Sequence, residues 1–434
     1  MKPLELHWVG RVRSLFFLAV CLGVAGRLGA QPLAPESPRL ELKPDVSLIT
    51  KRDLTPIFNG TNLDGWIVRG GKATYAVEDG AIVGTCAVKG GANTFLCTEK
   101  EYGDFILELE LKADLGLNSG VQIRSHCFDH ETTYDFGGRQ IKIPAQRVHG
   151  YQVEVDHRPE RRWSGGIYEE GRREWLFPLA TNSVAGQAFK FGDWNTYRIE
   201  CFGSAIKTWV NGVPAADLVD AVTLKGFIGL QVHATDQPGL QVRFRNIRLQ
   251  SYGEHQWKPA WNGVNFDDAH ILGQGEWKVQ NGILQGTHAA KDPEHGHLVS
   301  NASLTDFTVR LKYRAVTGNS GFYFRAEEKD GSLVGFQAEI DATKDAGGLY
   351  ETGGRGWVSQ PSAAAVKTWF KPQEWNEMVV VANGRRLTVQ VNGHTSAEVL
   401  NDPGRLAGKI GLQLHGGQDV EIYFKDMEIL EAAN

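Results

Sequence analysis

The sequence contains few of the residues that accompany helical bundles or disulfide frameworks. Methionine occurs 3 times and cysteine 5 times in 434 residues, whereas glycine occurs 51 times and tryptophan 12 times. Four of the cysteines follow residue 30, and all of these lie in the first half, at Cys86, Cys97, Cys127 and Cys201. The composition predicts a turn-rich β protein that does not depend on disulfides. Cys86 and Cys97 flank a glycine-rich turn and are predicted to face each other across a hairpin.

The sequence also lacks a basic charge excess and the short motifs of several enzyme classes. The formal net charge is −5, so neither nucleic acid nor an anionic membrane surface is expected as a partner. We find no glycine-rich phosphate loop, no paired-cysteine zinc motif, no His-Glu-x-x-His helix and no Gly-x-Ser-x-Gly elbow. A neutral polymer or a small molecule is the better expectation for a ligand.

The first thirty residues have the pattern of a Sec-type signal peptide. Basic residues precede an apolar run from Leu15 to Gly26, and small residues follow it. The run has about a dozen residues, fewer than the roughly 20 that a spanning helix needs. A permanent anchor and lipidation at Cys21 are the alternatives. We therefore expect an exported, periplasmic or extracellular protein with a proline-rich linker at 31–52 and no membrane contact beyond the signal peptide.

After the linker, the chain repeats itself. The recurring motifs, in the same order and at nearly constant spacing, are Asn118-Ser119-Gly120 and Asn319-Ser320-Gly321, Tyr168-Glu169 and Tyr350-Glu351, Trp194-Asn195 and Trp375-Asn376, Val210-Asn211-Gly212 and Val391-Asn392-Gly393, and Gly229-Leu230-Gln231 and Gly411-Leu412-Gln413. Chance does not produce that order. The repeat predicts two copies of one domain, at 53–251 and 252–434.

Within each copy, the segments have the period of half-buried strands. Apolar residues occupy every second position of 105–111 and of 307–313. Asn211-Gly212 and Asn392-Gly393 have the residues of hairpin turns that need positive φ. In the last strand of each copy the apolar positions change phase, which predicts a bulge at the same place. The fold class predicted is all-β, with a two-sheet jelly roll or a related sandwich for each copy.

Three strands of each copy carry polar residues on one face and apolar residues on the other. If these strands are neighbours in one sheet, the polar residues form a floor of hydrogen-bonding and ionisable groups, which suits the hydroxyls of a sugar. In the first copy the residues are Gln122, Arg124, Gln152, Glu154, Asp156, Gln231 and His233. In the second copy they are Tyr323, Arg325, Gln337, Glu339, Asp341, Gln413 and His415.

Other residues extend this candidate set. Trp209 lies on the polar side of its strand and is a candidate plate against a pyranose ring. Tyr168-Glu169 and Tyr350-Glu351 follow glycine pairs and are predicted to lie near the cleft. The structural alternatives are an ordinary solvated sheet face, an Arg124–Glu154 ion pair and a satisfied histidine at position 233.

The series of motifs as a whole resembles the 3-keto-disaccharide hydrolase family, also described as 3-keto-glucoside 1,2-lyase/3-keto-2-hydroxy-glucal hydratase. The motifs are Phe58-Asn59-Gly60, Leu63-Asp64-Gly65-Trp66, the Asn-Ser-Gly strand ending at Arg124, Gly150-Tyr151-Gln152 with Glu154, Gly166-Ile167-Tyr168-Glu169, Asp193-Trp194-Asn195, Trp209-Val210-Asn211-Gly212, Gly229-Leu230-Gln231 with His233, and Phe244-Arg245-Asn246-Ile247. The resemblance covers nearly all of 53–251 and, more loosely, 255–432. It implies two concanavalin-like jelly-roll β-sandwiches in tandem and an activity on glycosides oxidised at C-3.

The implied chemistry is elimination followed by hydration. A ketone at C-3 acidifies the C-2 proton, so a base can remove it and the aglycone can leave from C-1, after which water adds to the glucal. On this resemblance we assign His233 or Glu154 as the base, with Arg124 stabilising the developing oxyanion. A divalent cation held by Glu154 and Asp156 is the one cofactor that this scheme admits.

The first copy is predicted to be the active one. The second copy has Tyr323 in place of Gln122 and Gln390 in place of Trp209. The expected partner is a carbohydrate, either an oxidised glycoside or a polysaccharide. The alternatives are a non-catalytic, lectin-like carbohydrate-binding protein and a structural surface protein, since the fold alone does not decide function. If His233 and Glu154 converge in one pocket, the enzyme is favoured over the binding protein, because a binding module needs no base with a perturbed pKa.

Overall fold

The computed structural model describes residues 54–136, 138–180 and 183–432. The predicted signal peptide and the predicted proline-rich linker at 31–52 lie outside these residues. In the described part of the chain, no helix is long and apolar enough to cross a membrane.

The first copy consists of short strands and one short helix. Its first strands are β1 (Thr55–Pro56), β2 (Trp66–Gly70), β3 (Thr74–Glu78), β4 (Ala81–Thr85), β5 (Thr94–Thr98), β6 (Asp104–Ala113), β7 (Ser119–His126), β8 (Thr132–Phe136) and β9 (Arg139–Ile143). They are followed by β10 (His149–Val155), β11 (Ile167–Glu170), β12 (Glu174–Phe177), α1 (Val184–Ala188), β13 (Asn195–Phe202), β14 (Ala205–Val210), β15 (Val213–Val219), β16 (Phe227–Val232) and β17 (Gln241–Gly253).

The second copy repeats this series without the β8–β9 hairpin. It begins with β18 (His255–Pro259), β19 (Ala269–Gly273), β20 (Glu276–Gln280), β21 (Ile283–His288), β22 (Gly296–Leu304), β23 (Phe307–Thr317), β24 (Asn319–Lys329) and β25 (Ser332–Asp341). It continues with β26 (Leu349–Thr352), β27 (Gly356–Ser359), α2 (Ala363–Trp369), β28 (Asn376–Asn383), β29 (Arg386–Val391), β30 (His394–Val399), β31 (Gly408–Leu414) and β32 (Val420–Ala432).

Each copy is a sandwich of two antiparallel sheets. In the first copy, the sheet β15-β14-β13-β6-β17-β4-β3, with β1 also paired to β17, packs against the sheet β12-β11-β10-β7-β16-β5-β2. In the second copy, β20-β21-β32-β23-β28-β29-β30, with β18 paired to β32, packs against β19-β22-β31-β24-β25-β26-β27. Apolar side chains from both sheets form one core in each copy. The predicted all-β class and the pair of sandwiches are confirmed.

Local features of the sequence explain where the strands turn and bend. Asn211 and Gly212 have φ of 51° and 80°, and Asn392 and Gly393 have φ of 50° and 79°, as hairpin turns with two left-handed residues require. In β17 the pairing with β6 shifts register between Arg245 and Arg248, and β32 shifts in the same way against β23. The predicted turns and the predicted bulges are therefore confirmed.

The prediction that Cys86 and Cys97 face each other across a hairpin is wrong. Cys86 follows β4 in one sheet, whereas Cys97 lies in β5 of the facing sheet. The glycine-rich segment between them passes from one sheet to the other. Cys86, Cys97, Cys127 and Cys201 are all free thiols.

An arginine joins the two sheets at the same end of each copy. Arg124 has a φ of 45° where β7 shifts register against its neighbours, which turns its side chain away from the polar face. Its guanidinium donates to the carbonyl oxygens of Gly103 (2.8 Å) and Gly203 (2.7 Å) and to Asp104 Oδ1 (3.0 Å). The prediction that Arg124 lies on the polar floor is therefore wrong, and the alternative of an Arg124–Glu154 ion pair is not found, because Arg124 pairs with Asp104.

Arg325 has the corresponding position in the second copy. Its φ is 46°, and it donates to the carbonyl oxygens of Thr305 and Gly384 and to Asp306. Arg325 therefore lies away from the polar face of the second copy as well, contrary to the prediction. The shared cause is a left-handed residue in the middle of a strand, which alternation alone does not reveal.

The two arginine pairs differ in burial and so provide a test of what they contribute. The side chain of Asp104 is 4% exposed, whereas that of Asp306 is 58% exposed. Removing one partner of a buried ion pair leaves the other charge unpaired, so we expect Asp104→Ala to lower the free energy of unfolding by roughly 3–5 kcal/mol. Asp306→Ala is the matched control and should cost clearly less, because water replaces its carboxylate. Urea unfolding of the full chain measures both, and equal losses would contradict this account.

Candidate functional site

Three neighbouring strands carry the polar face in each copy. The strands β10, β7 and β16 are adjacent in the first copy, and β25, β24 and β31 are adjacent in the second. The alternate residues Val121, Val153 and Leu230 belong to the apolar core. The first floor is defined here as Gln122, Gln152, Glu154 and Gln231, and the second floor as Tyr323, Gln337, Glu339 and Gln413, all of them buried side chains.

The Asn-Ser-Gly motif builds the floor. Asn118 Nδ2 donates to Glu154 Oε1 at 2.6 Å, and the Ser119 hydroxyl donates to a carbonyl oxygen of β16 at 2.7 Å. A Cβ atom on Gly120 would lie 2.4 Å from the side chain of Gln152, so only glycine leaves space for that amide. The motif therefore holds the acid, joins two strands and makes room for the floor. The same contacts recur at residues 319–321.

A chain of hydrogen bonds crosses the first floor and ends at Glu154. The Ser125 hydroxyl donates to Gln122 Oε1 (2.7 Å), Gln122 Nε2 donates to Gln152 Oε1 (2.8 Å), and Gln152 Nε2 donates to Glu154 Oε2 (3.1 Å). Burial raises the pKa of Glu154 to about 7, although hydrogen bonds from two amides and the charge of Arg161 oppose that shift. Glu154 is therefore a carboxyl that changes its charge near neutral pH.

Arg161, which was not among the predicted residues, covers the acids of the first copy. Its Nε and Nη2 atoms donate to Asp156 at 2.8 Å each, and Nη2 also donates to Glu154 at 3.2 Å. The guanidinium lies 4.8 Å from the ring centroid of Trp163 and 5.1 Å from that of Trp175. Burial opposes ionisation of Asp156, but hydrogen bonds from Arg161 and from backbone N–H groups outweigh it and lower the pKa of Asp156.

The predicted divalent cation does not fit Glu154 and Asp156. Both carboxylates already accept from Arg161, so a cation would have to displace a guanidinium held by two acids and two aromatic rings. In the described ranges, no group of three or more His, Cys, Asp or Glu side chains is placed to hold a metal ion. We therefore assign no step of the chemistry to a metal.

Three more predicted residues of the first copy lie on or beside the floor. Gln231 is fully buried, and neither of its amide atoms has a hydrogen-bond partner. Tyr168 lies directly opposite Gln152 on the neighbouring strand. His233 follows the end of β16, and its Nδ1 lies 2.6 Å from the carbonyl oxygen of Ala234. Because a carbonyl oxygen only accepts, Nδ1 carries a proton, and in the neutral tautomer Nε2 is the acceptor.

The structure does not join His233 to Glu154 by a hydrogen bond within the described part of the chain. Glu154 accepts from Asn118, Gln152 and Arg161, whereas His233 donates to its neighbouring carbonyl group. The two candidate bases are thus held by separate sets of partners.

Glu169 and Trp209 lie away from the first floor, contrary to the predictions. Glu169 is fully buried, and its carboxylate accepts from Arg173 on the opposite side of β11. Trp209 lies in β14 of the facing sheet, where Arg198 stacks on its ring at 6.0 Å. Alternation identified a polar face for Trp209 correctly but could not tell which sheet that face belongs to.

A cavity of about 320 Å³ lies over the second floor. Its lining residues are His295, Asn319, Tyr323, Gln337, Glu339, Tyr350, Thr352, Trp357, Gln413 and His415. The cavity therefore brings together Gln337, Glu339, Tyr350 and His415 of the candidate set, and its lining contains no lysine or arginine. Asp341 instead accepts from the backbone of the following turn, and Glu351 accepts from Arg355, so neither lines the cavity.

Glu339 is the counterpart of Glu154 and has a similar charge behaviour. Gln337 Nε2 donates to Glu339 Oε2 at 2.9 Å, and Asn319 donates to the other carboxylate oxygen. Burial raises the pKa of Glu339 to about 7, the hydrogen bond from Asn319 opposes the shift, and the nearby acid Asp341 reinforces it. The nearest basic side chain in sequence, Lys344, pairs with Asp345 at 3.6 Å and not with Glu339.

Two histidines beside the second floor have opposite tautomers. His415 Nδ1 lies 2.8 Å from the carbonyl oxygen of Gly416, so that nitrogen donates, and in the neutral tautomer Nε2 is the acceptor. The backbone N–H of Gly416 donates to His295 Nδ1 at 2.8 Å, so in His295 it is Nε2 that carries the proton. Burial lowers the pKa of His295 and keeps the ring neutral. The cavity thus has one imidazole donor and one imidazole acceptor.

The residues that sequence reasoning missed had different signals. Asn118 and Asn319 belong to the recurring Asn-Ser-Gly motif, and Trp357 corresponds to Trp175 of the first copy, so all three could have been chosen from the repeat. Arg161 lies in a segment that is longer in the first copy than in the second. The second copy therefore has no matching residue that would have pointed to Arg161. The residue that corresponds to His295 in the first copy is Asn93, and each lies directly before a strand. Because the two residues differ, the repeat does not mark His295.

Comparison with known proteins places both copies in one family. The sequence profile of the 3-keto-alpha-glucoside-1,2-lyase-like domain matches residues 53–250 and again residues 256–430. No curated protein matches the chain.

Among solved structures, similar chains have low identity. A carbohydrate-binding module from Bacillus subtilis is 19% identical, with 37% of this chain and 93% of that chain covered and a TM-score of 0.30. A Bacillus subtilis protein of unknown function with a galectin-like fold is 10% identical, with 46% of this chain and 94% of that chain covered and a TM-score of 0.34. Such TM-scores do not indicate a shared function.

The two matched regions together span most of the chain, and each corresponds to one sandwich with one polar floor. The chain therefore belongs to the family of 3-keto-alpha-glucoside-1,2-lyase-like domains and carries two tandem copies of that domain.

Proposed function

We propose that the chain is an exported enzyme that acts on 3-keto-glycosides by elimination and hydration, with net hydrolysis of the glycosidic bond. The observation that carries this proposal is a carboxyl group, buried on a polar floor, whose pKa is raised to about 7 in both copies. A general base is most effective when its pKa lies near the working pH. Family membership supports a carbohydrate as the substrate.

The proposed reaction needs one proton carrier and one group that stabilises an enolate. The floor carboxylate takes the C-2 proton, and the electron pair of that C–H bond forms a C-2=C-3 double bond while the C-3 carbonyl becomes an enolate oxygen. When the C-3 carbonyl re-forms, that electron pair moves to form the C-1=C-2 double bond. The C-1–O bond breaks, its electron pair leaves with the aglycone oxygen, and that oxygen takes the proton from the carboxyl group. Water then adds its hydroxyl to C-1 and its hydrogen to C-2, so the net reaction consumes one water. Enolate formation at the C-3 oxygen is stabilised by N–H donors.

Arg124 has no part in this scheme, because its guanidinium is bound between the sheets. In the first copy, the amide of Gln231 is an unpartnered donor on the floor. In the second copy, His295, whose Nε2 carries the proton, is one of the residues that line the cavity. A neutral imidazole is a suitable donor to a developing enolate, because it keeps its own proton throughout.

A non-catalytic carbohydrate-binding protein is the second candidate. Aromatic rings flank both floors: Tyr168 meets Trp175 edge-on at 5.3 Å, and Tyr350 meets Trp357 edge-on at 5.2 Å. Amides and aromatic rings suffice for binding a sugar. A binding protein has no use for a carboxyl group that titrates near pH 7, and this difference favours the enzyme.

Export is proposed on the signal-peptide pattern of the first thirty residues. Cell fractionation, with sequencing of the mature N terminus near Gln31, tests it independently of the activity.

Removal of both floor carboxylates tests the proposed activity. We expect the double variant Glu154→Gln/Glu339→Gln to lose turnover of a 3-keto-glucoside by about 10²-fold or more, because glutamine keeps the shape but cannot take a proton. Glucal absorbance and released aglycone are measured on the purified chain. The matched control is Glu377→Gln, which removes a carboxyl group on β28 whose pKa burial also raises, but which lies outside both floors.

Two outcomes would contradict the proposal. Wild-type turnover in the double variant would show that neither carboxylate is the base. Absence of turnover by the native chain, with saturable binding of the glycoside, would leave the carbohydrate-binding alternative.

The pH dependence tests the same carboxyl groups. A base acts only when it is deprotonated, and the pKa of Glu154 and of Glu339 is raised to about 7. We therefore expect kcat/KM to be low in acid, to rise through pH 7 and to level off above it. A rise centred near the ordinary glutamate pKa of about 4.3 would refute the assignment of a buried base.

A further inference from the structure

We infer that the second copy, rather than the first, holds the active pocket, that His295 stabilises the enolate there, and that the ligand is a single uncharged pyranose unit. This inference deepens the proposed function and rests on it. It replaces the expectation that the first copy is the active one.

Access to the carboxylate differs between the copies. In the first copy, Arg161 bridges Glu154 and Asp156 and is itself held against two tryptophans. In the second copy, Glu339 lines an open cavity of about 320 Å³, and Lys344 is turned to Asp345. A ligand can therefore reach Glu339 directly, whereas at Glu154 it must first break a salt bridge.

The donor to the enolate also differs. In the second copy, His295 lines the cavity and accepts the N–H of Gly416 through Nδ1, which leaves Nε2–H as its remaining polar group. In the first copy, Asn93 Oδ1 accepts the N–H of Ala234 at 3.0 Å and so makes the equivalent contact with the backbone. An asparagine has no atom at the position of Nε2. The first copy therefore keeps the backbone contact but lacks this donor.

The floor of the first copy offers Gln231 as its unpartnered donor, but that side chain has no exposed surface. A ligand would contact it only after the covering side chains move. His295 needs no such movement, because it already lines the cavity.

The cavity lining indicates the class of ligand. Its volume lies at the lower end of the roughly 300–1,000 Å³ typical of small-molecule sites, so it suits one sugar ring. Amide, hydroxyl and imidazole groups supply both donors and acceptors for hydroxyls, and Trp357 and Tyr350 flank the site. Because no lysine or arginine lines the cavity, a uronic acid would place its carboxylate beside Glu339 without a counter-charge.

The matched variant for His295 is the residue that the first copy uses. His295→Asn keeps an acceptor for the N–H of Gly416 and replaces the ring with its Nε2–H by the shorter amide that the first copy has. We expect it to lower kcat on a neutral 3-keto-glucoside by about 10²-fold with little change in KM, as loss of an oxyanion donor does. Glu339→Gln alone should abolish turnover, and Glu377→Gln should leave it unchanged. Far-ultraviolet circular dichroism and thermal melting check that each variant is folded.

Turnover kinetics can overturn the inference while the proposed function stands. Native turnover in His295→Asn would refute the role of His295 in stabilising the enolate. Loss of turnover in Glu154→Gln together with retention in Glu339→Gln would place the reaction in the first copy. Turnover of the matching 3-keto-glucuronide as efficient as that of the neutral glycoside would refute the ligand class.

If the native chain does not turn over the 3-keto-glucoside at all, the proposed function fails and calorimetry decides the pocket. Binding of the uncleaved glycoside that is lost in Glu339→Gln and in Trp357→Ala would support the second-copy pocket. Binding that is lost only in Glu154→Gln, or the absence of any binding, would overturn it.

Discussion

Burial of a carboxyl group on the face of a sheet is the constraint from which the rest of the site follows. A buried carboxylate is strongly destabilising unless hydrogen bonds satisfy its oxygens. Each copy meets this requirement with an asparagine at the start of one strand and a glutamine two residues before the acid. The glutamine in turn needs the neighbouring strand to have no side chain at one position, and Gly120 and Gly321 provide that space. The Asn-Ser-Gly motif is thus a consequence of the buried acid.

The two copies satisfy the same constraint and then diverge above the floor. The first copy has a longer segment after its acids, and that segment supplies Arg161 together with Trp163. The second copy has a shorter turn in which Asp341 accepts from the backbone at residues 343 and 344. A few residues in one loop therefore decide whether the carboxylate is covered by a cation or faces a cavity, while the sheets beneath remain alike.

The sequence predicted the parts of the fold that depend on local pattern. Alternation located the strands, Asn-Gly pairs located two hairpins, and a change of phase located the bulge in the last strand of each copy. Alternation assigned Arg124 to the wrong face, because a residue with left-handed φ in the middle of a strand reverses the direction of its side chain. It failed at Trp209 and at Cys86 because alternation does not say to which of two sheets a strand belongs. The sequence pattern could not identify Arg161 and His295, because their roles depend on contacts between loops and strands that the repeat does not mark.

One residue difference between the copies, at the position of Trp209, has a structural cause and does not change the floor. Gln390 stands where the first copy has Trp209, which at first argues that the second copy has lost a sugar-stacking residue. Trp209 lies on the sheet that faces away from the floor, so no stacking residue is lost. Gln390 Nε2 instead donates to the carbonyl oxygen of Val219 in the first copy at 2.9 Å. A tryptophan at that position would remove this contact between the copies. The substitution therefore reflects how the second copy meets the first, and it removes nothing from the second floor.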